Sequence, residues 1–235
     1  MSTRSFPVFL TLFALVVSAL GCAPPCPCKL RGGHPKMSRG FQLALGDLLF
    51  QDVDCGPMCD AIESVTSGAE GKSFSHVGIV VAVGPGDPMV LEALSQGVVE
   101  TPLPRFLARS HDALGKPKVW VGRVSGWSTA KRAEAVRRAL VYSRSAYDDS
   151  FVMGDDRWYC SELVHQAYRD EAGNPIFATE PMTFKTPSGE FAPAWLAYFA
   201  KLGLPIPEGQ PGINPGLISR SPLVEIVHRY GNPSE

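Results

Sequence analysis

One stretch constrains the fold of this chain more than any other: Phe74-Ser75-His76-Val77-Gly78-Ile79-Val80-Val81-Ala82-Val83. Its β-branched run predicts a buried strand, closed by the breakers Gly84-Pro85-Gly86-Asp87-Pro88. Met89 to Leu94 resumes the strand pattern, Val98 to Thr101 follows the turn at Ser95-Gln96-Gly97, and Lys118 to Val124 comes after a loop. Upstream, Leu43 to Gln51 reads as a turn entering a short buried strand, and Asp60 to Val65 as a short helix. The strands together predict an antiparallel meander.

Helix dominates the second half. Ser128 is placed to cap a helix with Ala133, Val136, Ala139 and Leu140 at helical spacing, and Lys131, Arg132, Arg137 and Arg138 on a solvated face. A loop through Tyr147 and Asp148 leads to Arg157-Trp158-Tyr159-Cys160-Ser161-Glu162-Leu163-Val164. There an amphipathic helix begins, with Leu163, Val164, Ala167 and Tyr168 inward, and runs to about Glu171. Residues 190 to 202 predict a last helix with Trp195, Leu196, Phe199 and Leu202 inward. Pro205 to Ser221 reads as irregular, and Leu223 to Val227 as a closing edge strand. The class is α+β.

The N-terminus carries Arg4 and then an apolar run from Phe6 to Leu20, too short for the ~20 residues of a spanning helix and suited to a signal-peptide core. Ser18-Ala19-Leu20-Gly21-Cys22, followed by Ala23-Pro24-Pro25, looks like a lipoprotein signal, with Ala19 where leucine is usual. The expected organisation is a signal segment over 1–22, a tether over 23–40 and one domain over 41–235. Cys22 is the expected lipidation site, and the product is expected in the bacterial cell envelope, anchored and facing the periplasm. A net charge of -1 gives no reason to expect nucleic acid as a partner.

Export bears on the cysteines. Cys26-Pro27-Cys28 and Cys55-Gly56-Pro57-Met58-Cys59 allow a four-thiolate zinc site, but an oxidising compartment favours disulfides among these four, with three possible connectivities. No metal is therefore expected. Two disulfides leave Cys160 as the odd thiol. At a helix N-terminus a thiol feels the positive end of the dipole, which favours the nucleophilic thiolate; the alternative is a buried small apolar residue.

A cysteine nucleophile needs a base and a group to orient that base. His34 lies in the tether, His111 in a polar loop and His228 past the last strand, while His165 is about 140° around the helix from Cys160. His76 remains, at the first residue of a buried strand, where its alternative is a histidine satisfied by a backbone carbonyl. Glu92 is the candidate orienter, because a carboxylate inside Val-Leu-Glu-Ala-Leu is costly unless paired or solvated. A hairpin centred on Gly84 sets His76 and Glu92 directly opposite; one centred on Gly86 separates them by about 13 Å. The sequence leaves both registers open.

Gly46-Asp47-Leu48-Leu49-Phe50, Ser75-His76-Val77-Gly78-Ile79-Val80, Leu91-Glu92-Ala93 and Tyr159-Cys160-Ser161-Glu162-Leu163-Val164, in this order, resemble the YiiX/YebB-like branch of the NlpC-type cysteine hydrolases. The similarity runs from about Gly46 to Val227. It implies a circularly permuted papain-like fold, an antiparallel sheet or barrel packed against helices, with the histidine strand ahead of the cysteine helix. It implies a triad of Cys160 as nucleophile, His76 as base and Glu92 as third member, working without a cofactor, and it favours the Gly84-centred pairing or a bulge with the same effect. Tyr159, Asp148 and Tyr147 fall in stretches that look like family motifs and are candidates to shape the site or the oxyanion contact. The implied activity is a peptidase or amidase acting on cell-wall peptides or amino-acid amides. A lipid esterase or acyltransferase is the alternative within the permuted group, and a non-catalytic envelope binding module is the alternative outside enzymes. The Cys55/Cys59 pair is not a feature of the resemblance.

Overall fold

Strand β1 (Leu48–Gln51) is buried along its whole length and lies inside the sheet, between β2 (His76–Ala82) and β5 (Val119–Val124). The structure, a computed structural model, describes residues 40–234. The predicted signal segment and most of the tether, with Cys22, Cys26, Cys28 and His34, lie outside the described residues. β2 continues through β3 (Met89–Leu94) to β4 (Gly97–Pro102), and β8 (Val224–Arg229) adds to the far side of β5. All these pairings are antiparallel, as the meander pattern predicts. Among the described residues the six strands form an open sheet that ends at β4 and β8, a sheet rather than the expected barrel alternative.

Strand alternation sorts the side chains between two layers. Leu48, Phe50, Val77, Ile79 and Leu91 pack with α3 (Thr129–Val141) and α4 (Cys160–Ala167). Leu49, Val80, Val90, Val119 and Val121 pack with α2 (Leu103–Leu107), a short helix that follows β4 and that the strand pattern does not announce. A third cluster, around Phe184, Trp195 and Phe199, joins α1 (Pro57–Glu63) to α5 (Pro193–Leu202). The short strands β6 (Glu180–Pro181) and β7 (Pro211–Gly212) pair with each other, and α6 (Pro215–Ser219) sits within the stretch expected to be irregular. Each fully buried large side chain contributes roughly 1.5–3 kcal/mol of transfer free energy.

Several local expectations are corrected. α4 stops at Ala167 rather than near Glu171, because Tyr168 turns to extended backbone and its hydroxyl donates to the Gly46 carbonyl at 2.8 Å. On α5, Trp195 and Phe199 are buried, but Leu196 and Leu202 are 50% and 37% exposed. The buried stripe there is one i,i+4 pair wide, and Leu196 stands about 100° around the axis from Trp195. His228 lies within β8 rather than beyond it, its ring stacked on Phe41 at 4.2 Å. Ser128 caps α3 as its position predicts, its hydroxyl accepting the Lys131 N–H at 3.2 Å.

The β4 edge is covered by the chain that leaves α3. Val98 donates to the Ser145 carbonyl at 2.9 Å, and Arg144 donates back to Val98 at 2.8 Å. Gly97 makes that approach possible: it holds a φ of 107°, and a Cβ there would meet the Ser145 oxygen at 2.4 Å. The same covering segment runs on through Tyr147 toward Cys160.

Candidate active site

Cys160 is the first residue of α4, with Tyr159 as N-cap in extended backbone. The N–H groups of such a first turn have no partner four residues back. Glu162, in the same turn, reaches back to the Tyr159 N–H and accepts the Gly154 N–H at 3.3 Å, which braces the helix start. Its carboxyl is buried and held at about 8, by burial first and by the charge of Asp148 beside it.

His76 opens β2, opposite Gln51 of β1. Its Nε2 meets Glu92 Oε2 at 2.7 Å, and its ring hydrogen bonds with the Cys160 thiol. Since Glu92 occupies Nε2, Nδ1 is the nitrogen left for sulfur. Cys160, His76 and Glu92 are 8%, 7% and 0% exposed.

The register that joins His76 to Glu92 is neither of the two expected ones. Ile79 pairs with Leu91 and Val80 with Val90, and a shift follows between Val80 and Ala82. Continued one step, this pairing sets Glu92 opposite Gly78, two residues from His76. Diagonal neighbours in a sheet lie about 7–8 Å apart, within reach of long side chains, and the intervening Gly78 has no side chain. Val90 and Phe106 fill the space a Cβ would need there, at 2.5 and 3.0 Å.

The charges support one another. Burial pushes the Cys160 thiol up, but the His76 ring, through its hydrogen bond and its charge, outweighs this and holds it below the ordinary thiol range; the Val77 N–H and the Ser161 side chain add to this. Burial likewise opposes a charged His76, yet Cys160 and Glu92 hold it up at about 9. Glu92, despite complete burial, is drawn down to about 2 by hydrogen bonds from Arg109 and then His76. A thiolate–imidazolium pair beside a carboxylate is the state these interactions favour.

Arg109 is the residue that strand and helix patterns do not reveal. Its two terminal nitrogens contact both oxygens of Glu92, and its guanidinium lies 5.1 Å over the Phe106 ring. Two signals pointed that way: the Pro102-Leu103-Pro104 start of a short helix, and the need of a buried carboxylate for a cation.

Cys160 lines a cavity of about 170 Å³ whose walls include Ile62, Val65, Phe151, Met182, Trp195 and Leu217. Tyr147 and Tyr159 line it too, both phenols pushed well up by burial first, with the charge of Cys160 adding at Tyr147 and those of Glu162 and then Cys160 at Tyr159. Tyr159 accepts the Ile213 N–H at 3.2 Å. Asp148 takes another position: its carboxylate is fully buried and accepts the N–H and hydroxyl of Ser150 at 2.8 and 2.6 Å, which makes it a turn-forming group. Asp47 is likewise structural, held by Arg123 at 2.7 and 2.8 Å. His165 Nδ1 donates to the Phe177 carbonyl at 2.8 Å, away from Cys160, as its helical position predicts. Cys55 and Cys59 form a disulfide with each other, so neither supplies a thiolate to a metal. Among the described residues no group of three or more His, Cys, Asp or Glu is arranged to hold a metal ion, and Cys160 is the free cysteine.

Comparison with known proteins places the chain in a family. The chain is 33% identical over 134 residues to the uncharacterized protein YiiX of Escherichia coli (strain K12), an alignment that covers 57% of this chain and 61% of that relative. It superposes with a TM-score of 0.65 on the crystal structure titled metalloprotein yiiX from Escherichia coli O157:H7, at 26% identity, over 81% of this chain and 99% of the other. Residues 42–228 match the family described as permuted papain-like amidase enzyme, YaeF/YiiX, C92 family, and to that family this chain belongs.

Proposed function

We propose that the protein is a cysteine hydrolase of the amidase type, with Cys160 as nucleophile, His76 as acid and base, and Glu92 as the residue that orients His76. The observation that carries this is the buried hydrogen-bonded chain from the Cys160 thiol through His76 to Glu92, with the sulfur opening on a cavity. The Cys160 thiolate attacks a carbonyl carbon, and the C–S bond forms as the carbonyl electrons move to oxygen. N–H groups at the start of α4 face the developing oxyanion, and the Tyr147 and Tyr159 phenols, kept neutral, are placed to donate from the cavity wall. The tetrahedral centre collapses, His76 gives its proton to the departing amine, and a thioester remains. Water then attacks with His76 as base, releasing the acid and the thiol.

The fold-family likeness supports an amide bond, with peptides or amino-acid amides of the cell envelope as substrates. The apolar cavity wall favours a second reading, an ester or amide of a fatty acyl group, with water or another acceptor taking the acyl chain. The relative described as a metalloprotein does not lend this chain a metal: the residues described do not fit one, and no step above uses one. The apolar N-terminal run and its cysteine support export and lipid anchoring at Cys22, which would hold the enzyme at a membrane surface.

The deciding experiment incubates the protein with a panel of envelope peptides, amino-acid amides and fatty esters, and looks for a thioester by intact-mass measurement. A mass increase equal to the acyl group, absent in Cys160→Ala, establishes the mechanism and names the acyl class. Turnover that persists in Cys160→Ala removes it.

A further inference from the structure

A charged third residue creates a difficulty at this site. With Cys160 as thiolate, His76 as imidazolium and Glu92 as carboxylate, three groups less than a tenth exposed carry one net negative charge. A net charge in such a place opposes formation of the thiolate. We infer that Arg109 is a fourth functional member of the site, a positioning residue that grips Glu92 with both terminal nitrogens and balances the buried charge, so that a carboxylate can serve beside a thiolate–imidazolium pair. The inference rests on the reading of Cys160 as an activated nucleophile.

The geometry is specific. Arg109 takes both Glu92 oxygens, and the Oε2 that it contacts is the same atom that meets His76 Nε2 at 2.7 Å. A two-pronged grip fixes the plane of the carboxylate as well as its distance, so the lone pair on Oε2 is aimed rather than free to rotate. Arg109 is in turn set by α2. Phe106 lies 5.1 Å beneath the guanidinium and 5.9 Å from the His76 ring, touching the arginine and the histidine at once. The Phe106 carbonyl accepts from Gln51 Nε2 at 2.9 Å, and Gln51 pairs directly with His76 across β1 and β2. The ladder that places His76 therefore also places the support of Arg109. An exposed arginine–carboxylate pair contributes little; here the carboxylate is wholly buried and the arginine 22% exposed, so the cation decides the charge state of the site.

Other groups face the thiol. Tyr147 and Tyr159 approach from the segment before α4 and stay neutral. Glu162 on α4, Asp148 and Asp149 lie in the same region and carry their charges toward those phenols. Glu63 of α1, near Ser75 and Asp52, is held by burial at about 7 and titrates in the range of interest. A pH profile is therefore read both in the native background and in Glu63→Gln.

The test is the rate constant for alkylation of Cys160 by iodoacetamide as a function of pH, in the wild type, Arg109→Met, Arg109→Lys, Glu92→Gln and the Arg109→Met/Glu92→Gln double variant. Arg109→Met is expected to move the acid limb to higher pH and to slow labelling there about tenfold, the order expected for loss of a unit charge several ångströms away at an effective dielectric of about 20. The double variant, which removes both charges, is expected to bring the limb back toward wild type. Arg109→Lys, which keeps the charge but not the fork, should fall between, and it carries the test if Arg109→Met does not fold. A wild-type limb in Arg109→Met, accompanied only by a lower Tm, overturns the inference in favour of a structural ion pair. So does a slowed limb that the double variant leaves slowed. Labelling of the wild type no faster than a free thiol sinks the nucleophile reading itself, which keeps the two failures distinct.

Discussion

Glu92 meets His76 on a diagonal of the sheet, two residues out of direct cross-strand register, and still closes to 2.7 Å. The contact depends on the bare backbone of Gly78 between them and on Val90 and Phe106 filling the space beside it. Gly78→Ala places a methyl group 2.5 Å from Val90 Cγ1 and 3.0 Å from Phe106. Overpacking of this kind costs about 1–3 kcal/mol. The expected outcome is a lower Tm together with slower alkylation of Cys160, since Phe106 also touches His76. A fall in Tm with unchanged alkylation would show that the diagonal tolerates a side chain.

The charges of His76 and Glu92 define a window of stability. His76 is raised from 6.5 to about 9, so its contribution is complete below pH 6.5 and is lost as pH rises through 9. Glu92 is lowered from 4.5 to about 2, so its contribution is complete above pH 4.5 and is lost as pH falls toward 2. Both operate together between pH 4.5 and 6.5. His76→Gln should therefore lower Tm most within that window and least above pH 9, as measured by thermal unfolding across the range.

Glu162 acts in the opposite sense. Burial raises its carboxyl from 4.5 to about 8, so the folded protein prefers it protonated and loses stability as pH rises through that interval. Glu162→Gln keeps an acceptor for the Gly154 N–H without the charge. It should match wild type near pH 4 and be more stable at pH 8, where the native group is about half ionised, by roughly 1.4 kcal/mol for each unit that burial has raised the carboxyl. Denaturant unfolding at the two pH values measures this. Equal stability at both would mean the carboxyl ionises without cost.

The Cys55–Cys59 disulfide spans a sequence separation of 4 and ties down the start of α1. Closing so short a loop constrains the unfolded chain modestly, by about 2 kcal/mol in the chain-entropy account. For a chain of this size that corresponds to a fall of about 4–8 °C in Tm for the Cys55→Ala/Cys59→Ala variant. Scanning calorimetry with and without reductant checks it; a fall in the wild type on reduction should match the variant.

Much of the frame was legible in the residues. The β-branched run at His76, the resumption at Met89 and the Ser128 cap each belong to local chemistry that a short window contains, and the strands and the α3 start fall where those signals lie. Cys160, His76 and Glu92 were reachable because each is costly or unusual where it stands: an odd thiol at a helix start, and two polar groups in apolar strands. The register was not legible, because Pro85 and the bulge after Val80 shift the pairing without changing either strand's pattern. Arg109 was hidden for a related reason. It follows a five-residue helix, and what gives it meaning is Glu92, which reaches it only through the folded sheet.

The strap beside β4 bears on whether that sheet edge is free to pair with another strand. An open antiparallel sheet ends in rows of unpaired N–H and C=O groups that can recruit another strand. At β4 the chain answers this itself, since Arg144 and Ser145 take up the Val98 N–H and carbonyl, and Gly97 lets them come close. At β8 the strand carries Glu225, His228 and Arg229 in place of a uniformly apolar face. The segment that leads to Cys160 thus also seals an edge, so a Gly97→Ala change would make itself known first as edge-to-edge aggregation, before any loss of chemistry could be measured.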